Sequence, residues 1–421
     1  MYLTRAVISN IRSIADADWS VSLEDAPGWH VVIGDNGAGK SSFLRAIALG
    51  LVGPTEARGL QQSWGSWLRR GSAKGSVSLE LARDEGHDGL ARGGRRPPDR
   101  TKVKLEIATT GDVVELKPKA DTDATRSVWG PASGWFSASY GPFRRFTGGI
   151  ESLERANWAN PKLAAHYSVF DEGFALTEGL SWLRDLKFKS YEKGGSPILD
   201  ELTSFVNQEG FLPFGVKLED VTSAGVTFKD GNGCDVLVGE LSDGYRSVLS
   251  MTFELVRQMS TAYKEARLFS DDRREILMPG VVLIDEVDAH LHPDWQRQIG
   301  PWFRKLFPNV QFIVTTHSPL VCQASVKGTV WDLPRPGAEG NIRRLGGAEL
   351  DRLVFGDILE AYGTRLFGEV ERSSEAQLML GKLADLNMLE LSQGLSPEQE
   401  SEQDALRRVF PTQANCPDSK G

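Results

Sequence analysis

"WHVVIGDNGAGKSSFLRAIALGLVG", residues 29–53, decides the fold. An apolar run of strand length leads into glycines, and an apolar-periodic helix follows until Gly53-Pro54 stops it. Between them "GDNGAGKS", residues 34–41, matches G-x-x-x-x-G-K-[ST] in the setting that pattern requires, strand before and helix after. The spacing has a physical reason. Glycines let the backbone wrap closely and aim N–H groups at phosphate oxygens, and the helix adds its positive N-terminal end. Lys40 can neutralise β- and γ-phosphates, and Ser41 can offer a hydroxyl to Mg²⁺.

Two other segments answer this loop. "GVVLIDEVDAHLHP", residues 280–293, is a buried-type apolar strand ending in Asp285 and Glu286. In open α/β sheets ligands sit at the carboxyl ends of strands, where these acids fall. Asp285 is suited to orient Mg²⁺ or its water, and Glu286 to position or deprotonate an attacking water. "VQFIVTTHSP", residues 310–319, is a similar strand ending in His317, one helix later, so its end is expected beside Glu286. There His317 would sense the γ-phosphate.

"ELSDGYRSVLSM", residues 240–251, lies between the phosphate loop and the carboxylate strand. Ser242 can cap the helix that follows, and Asp243 suits the helix dipole. A helix start opened by Ser242 and Gly244 is also built to hold an anion. Asp243 is the anomaly, because a carboxylate repels phosphate, so it is expected to point away.

The rest of the chain supplies the frame. "YLTRAVISNI" reads as a strand. Residues 53–135 hold strand patterns separated by turns and read as an antiparallel β insertion. Its basic stretch "RGGRRPPDRTKVK", residues 92–104, is either a solvated loop or a contact for nucleic acid or a partner. A helical lobe is expected over about 150–235, closing an ATPase head of 1–345. A helical extension with a polar tail follows over 346–421. Strands alternating with helices indicate an α/β core.

Composition narrows the class. The 421 residues allow two lobes, and a net charge of −9 excludes a nucleic-acid-binding polycation as a whole. Three dispersed cysteines without a metal-ligand rhythm fit a reducing, cytoplasmic setting. No apolar stretch approaches the roughly 18 residues of a membrane span, so no membrane role is expected.

With these motifs in this order, the chain resembles ABC-type P-loop ATPases of the SMC/RecF/OLD-like class, whose signature usually reads LSGGQ. More closely, "LSDGYRSVLSM", "GVVLIDEVDAHLHPDWQRQI" and "FPNVQFIVTTHSPLV" look like the ATP-binding proteins of bacterial anti-phage operons, the Septu ATPase subunit and retron-associated ATPases. The resemblance implies an α/β ABC-type head with cofactors ATP and Mg²⁺. By it, Gly34, Asp35, Asn36, Gly37, Ala38, Gly39, Lys40, Ser41 and Ser42 would bind ATP, with Arg12 of "ISNIRSI" approaching the nucleotide. Ser41 and Asp285 would hold Mg²⁺. Glu286 would be the base, His317 the switch, and Ser242 with Gly244 the contact to the γ-phosphate of a second copy. The family's lid glutamine is not evident: "SASYGPFRR" offers Tyr140 and Arg144, and Gln61 and Gln62 come too early.

The implied partners are a homodimer or higher homo-oligomer and an HNH-type nuclease encoded nearby. The chain itself has no HNH histidine cluster, and about 100 residues after His317 are too few for a TOPRIM domain. The alternative is a RecF/SMC-like repair or chromosome ATPase that clamps DNA through Arg92, Arg95, Arg96 and Lys102. A transport motor and a protein using ATP only as structural glue stand behind these.

Overall fold

β1 (Tyr2–Ile11) and β2 (Ile14–Ser20) form a hairpin, and β3 (Gly28–Ile33) runs into the glycine loop and α1 (Lys40–Val52). β4 (Lys74–Ala82), β5 (Arg100–Thr110) and β6 (Val113–Pro118) follow, then the short α2 (Thr122–Arg126) and β7 (Ser137–Tyr140). Then come α3 (Pro161–Tyr167), α4 (Glu178–Lys193), α5 (Pro197–Val206), β8 (Lys217–Val221), β9 (Val226–Lys229) and β10 (Asp235–Leu237). Next come α6 (Asp243–Ala262), β11 (Gly280–Ile284), α7 (Pro293–Leu306), β12 (Val310–Thr315) and α8 (Pro319–Cys322). β13 (Gly328–Asp332), β14 (Arg343–Arg344), α9 (Gly347–Phe355), α10 (Ser374–Ser392) and α11 (Pro397–Val409) complete the chain. The computed structural model describes residues 1–60, 62–88, 98–111, 113–118, 122–130, 135–144, 160–193, 196–212, 215–223, 225–263, 267–338, 340–356, 366 and 374–410.

The central sheet has the order β14-β13-β3-β12-β11-β7, parallel except for β14. β3, β11 and β12 are buried at every residue, which is why they read as unbroken apolar runs. β12 lies between the strands of the glycine loop and of the carboxylates, with Val314 opposite both Val31 and Ile284. Their carboxyl ends therefore share one edge, as expected.

β4, β5 and β6 are antiparallel, also as expected, but their sheet begins earlier in the chain. Its order is β2-β1-β4-β5-β6, so the N-terminal hairpin and the insertion are one sheet. β2, "IADADWS", is hard to read because its exposed acids mask the buried Ala17 and Trp19. α1 touches strands of both sheets. A Cβ on Gly50 would lie 2.5 Å from Leu79 Cδ1, so glycine permits this close approach. The basic stretch of the insertion falls largely outside the described residues, Arg92, Arg95 and Arg96 included. Lys102 is described and pairs with Glu80 at 3.1 Å.

One buried amide ties the sheets together. Gln311, on β12, accepts from the Leu3 N–H and donates to the Leu3 carbonyl, both at 2.8 Å. Leu3 sits where the β1–β4 register shifts. Gln311→Leu should leave that N–H and carbonyl unpaired at about 1–3 kcal/mol each. The expected result is a urea midpoint lowered with the m-value unchanged. An unaltered midpoint would mean that the amide does not bind the sheets.

The chain divides into two compact units, Met1–Phe367 and Gly368–Gly421. In the second, α10 and α11 form a hairpin in which Gln403 bonds Asn387 and Glu390. The acidic tail segment begins α11 with a capping box, Ser396 and Gln399 bonding each other's backbone.

Candidate functional site

The glycine loop is built by backbone conformations that L side chains avoid. Gly37 and Gly39 have φ of 83° and 105°. At Gly39 a Cβ would also lie 2.6 Å from Ser13 Oγ, so the β1–β2 turn rests directly on the loop. Asp35, Asn36 and Gly37 are exposed at the tip, Ala38 is buried, and Ser41 and Ser42 are half-buried at the start of α1. Asp35 pairs with Arg335 at 3.3 Å. Lys40 is 6% exposed and donates to the carbonyls of Gly34 at 2.8 Å and Asp35 at 3.2 Å. Burial lowers its pKa, while Glu286, Asp285, Asp288 and Asp35 act against that shift. The lysine therefore lies within electrostatic reach of the acids at β11's end.

Asp285 is buried, and its Oδ1 accepts from Thr315 Oγ1 at 2.6 Å. The same Thr315 hydroxyl accepts from the Glu286 N–H at 2.8 Å. Glu286 is half-buried with φ 46°, a left-handed conformation that costs a non-glycine residue about 1–3 kcal/mol and clusters at working sites. Thr316 Oγ1 donates to Asp288 Oδ1 at 2.6 Å. The consecutive threonines at the polar end of a buried strand were the sequence signal for this pairing. His317 follows them, exposed; partial desolvation and then the Lys40 charge lower its pKa, which favours the neutral ring at neutral pH.

Ser242 stands at the N-cap of α6, but its side chain makes no capping hydrogen bond, so of its two possible uses the cap is not taken. Ser242 and Asp243 are exposed, and Gly244 is half-buried against the His290 carbonyl. The Asp243 anomaly resolves locally: its carboxylate pairs with Arg246, one turn along.

Arg12 lies in the β1–β2 turn with φ 50°, its guanidinium 4.7 Å over the Trp67 ring. Burial, then Arg45, lowers its pKa, and its buried Nε has no partner among the described residues. Gln61 lies outside the described residues, and Gln62 accepts from Trp67 Nε1 at 3.4 Å. Of "SASYGPFRR", residues 137–140 form β7, next to β11, Arg144 reaches the site beyond them, and Arg145 lies outside the described residues. Asp285 and Glu286 carbonyls accept from Arg144 at 2.9 and 3.1 Å. Nothing in the residue pattern marked that role.

The donor chemistry fits Mg²⁺, which takes hard oxygen ligands and keeps several waters. Asp285 would supply a carboxylate already oriented by Thr315, and Ser41 would supply a hydroxyl on α1's first turn.

Two family models match the chain. One, described as "AAA domain, putative AbiEii toxin, Type IV TA system", covers residues 137–323, and a second AAA domain covers residues 5–126. Septu protein PtuA of Bacillus mycoides is 26% identical over 340 residues, 78% of this chain and 40% of that protein. Retron Ec83 probable ATPase of Escherichia coli is 38% identical over 102 residues, 24% of this chain and 18% of that protein. The matches thus span less than half the length of these relatives. The SMC head domain from Thermotoga maritima covers 82% of this chain and 100% of that one, at a TM-score of 0.43 and 14% identity. Both family models describe AAA domains, and over the stretches given the chain is similar to a Septu protein and to a retron ATPase. No helix among the described residues is long and apolar enough to cross a membrane.

Proposed function

We propose that this ABC-type head is the ATP-binding and ATP-hydrolysing subunit of a bacterial anti-phage defence system. Two copies close around two ATP molecules, and closure senses infection or regulates a partner nuclease of HNH type. One observation carries the reading. Lys40, at the end of the β3 loop, feels the charges of Asp285 and Glu286 at the end of β11 across the intervening β12, while Ser242 leaves its hydroxyl unspent on its own helix.

The chemistry assigned is ATP plus water to ADP plus phosphate. Loop N–H groups and Lys40 hold the β- and γ-phosphates. Asp285 and Ser41 would hold Mg²⁺, whose charge offsets that of the phosphates. Glu286 accepts the proton of the attacking water, and neutral His317 hydrogen-bonds the γ-phosphate. Ser242 and the N–H groups opening α6 cover the γ-phosphate of the partner copy. Closure shifts by no more than the difference in ATP affinity between open and closed states.

The test is Ser242→Arg. MgATP binding to the monomer should change by less than about threefold, under ~1 kcal/mol. ATP-driven dimerisation, followed by sedimentation velocity, should disappear. A dimer that still forms at wild-type ATP concentrations would reject the trans contact.

The DNA-clamping alternative gains less support. On the antiparallel sheet Arg5, Lys74, Lys102 and Lys117 each pair with an acid. Cations already paired with acids are a poor match for a phosphate backbone, whereas Arg100 and Lys104, exposed on the same face of β5 as Lys102, form no ion pair among the described residues. Duplex DNA binding that weakens steeply with salt would restore the alternative.

A further inference from the structure

Arg144 is 4% exposed, and no carboxylate among the described residues lies within ion-pair distance of it. Its donors go elsewhere. Nη1 donates to the carbonyls of Gly141 at 3.1 Å and Asp285 at 2.9 Å. Nη2 donates to the carbonyls of Glu286 at 3.1 Å and Val287 at 3.3 Å. Nε donates to Ser247 Oγ at 3.1 Å, and the Arg144 carbonyl accepts from Ser250 Oγ at 3.3 Å. Burying a guanidinium without a paired carboxylate is costly, so its use must lie in what it holds.

It holds two things. The first is the backbone of Asp285–Val287, three consecutive carbonyls around the left-handed Glu286. A residue in that conformation persists only where its surroundings over-determine it. The second is α6, gripped through Ser247 and Ser250, a short step beyond the Ser242–Gly244 turn. A planar fork spans these acceptors at once, and a lysine ammonium cannot.

We infer that Arg144 is a positioning residue that couples the helix opened by Ser242 to the Glu286 turn. When α6 shifts on engaging a partner's phosphate, Ser247 moves the guanidinium, and the guanidinium moves the carbonyls that aim Glu286. The inference rests on the proposed role of Glu286 as base.

The experiment uses the full chain and measures MgATP affinity and steady-state turnover separately. Arg144→Lys should keep affinity within about threefold and lower kcat by about 100-fold, the scale of a ~1 Å misplacement of a reacting group. Ser247→Ala, which removes the guanidinium's bond to α6 and leaves that of Ser250 to the Arg144 carbonyl, should lower kcat about tenfold, one charge-assisted hydrogen bond. In Arg144→Ala, added guanidinium ion should restore part of kcat, and it should do nothing for Glu286→Gln.

Wild-type kcat in Arg144→Lys or Ser247→Ala would overturn the coupling, as would a kcat loss matched by an equal loss of affinity. Should the Arg144 variants fail to fold, Ser247→Ala decides alone. Wild-type protein turning over no faster than Glu286→Gln removes the base and the coupling together. Dependence on Glu286 with indifference to Arg144 and Ser247 removes the coupling only.

Discussion

Glu286→Gln is expected to stop turnover while leaving MgATP bound, and so to accumulate the closed dimer. The amide keeps the size of the carboxylate and the backbone that holds it. The Glu286 N–H stays on Thr315, and Asp285 keeps its own bond to the same hydroxyl. What disappears is the ability to take a proton from water. Loss of a general base lowers rates by about 100- to 10,000-fold. Affinity should alter by less than about threefold, because the triphosphate gains no new repulsion. Single-turnover hydrolysis and sedimentation with ATP measure the two halves. Normal hydrolysis would remove Glu286 as the base, and lost binding would mean that its charge serves the fold instead.

Lys40→Ala should weaken nucleotide binding by about 100-fold, roughly 3 kcal/mol. Lys40 is nearly buried and stands among acids: Glu286, Asp285, Asp288 and Asp35 all act on it. Removing the ammonium deprives an incoming triphosphate of its cation and leaves those carboxylates facing it. The loop should survive, because its shape depends on glycines with positive φ and on packing against Ser13. Equilibrium titration with MgATP, checked against an unchanged melting temperature, isolates the effect. Unchanged affinity would reject the phosphate-loop assignment.

The central strands were legible because each is buried on both faces and declares itself as an apolar run. The order β3, β12, β11 was legible in part, since one crossover helix separates the carboxylate and histidine strands. β2 was not legible, because its pattern of burial carries acids on the solvent side. The role of Arg144 was hidden too. An arginine after a glycine-proline turn has no periodicity, and its acceptors are main-chain carbonyls, which have no residue-type signature.

By itself the sequence determined the local machinery: a loop that only glycines can wrap, a lysine and serine at its end, and acids closing an apolar strand. Such features depend on neighbouring residues, so consecutive letters encode them. Tertiary structure alone decided what joins distant segments: Gln311 bonded to Leu3, 308 positions away, and Arg144 bonded to the carbonyl of Asp285, 141 positions away. Each of these bonds needs two backbones brought within about 3 Å, and that approach follows from how whole sheets and helices pack.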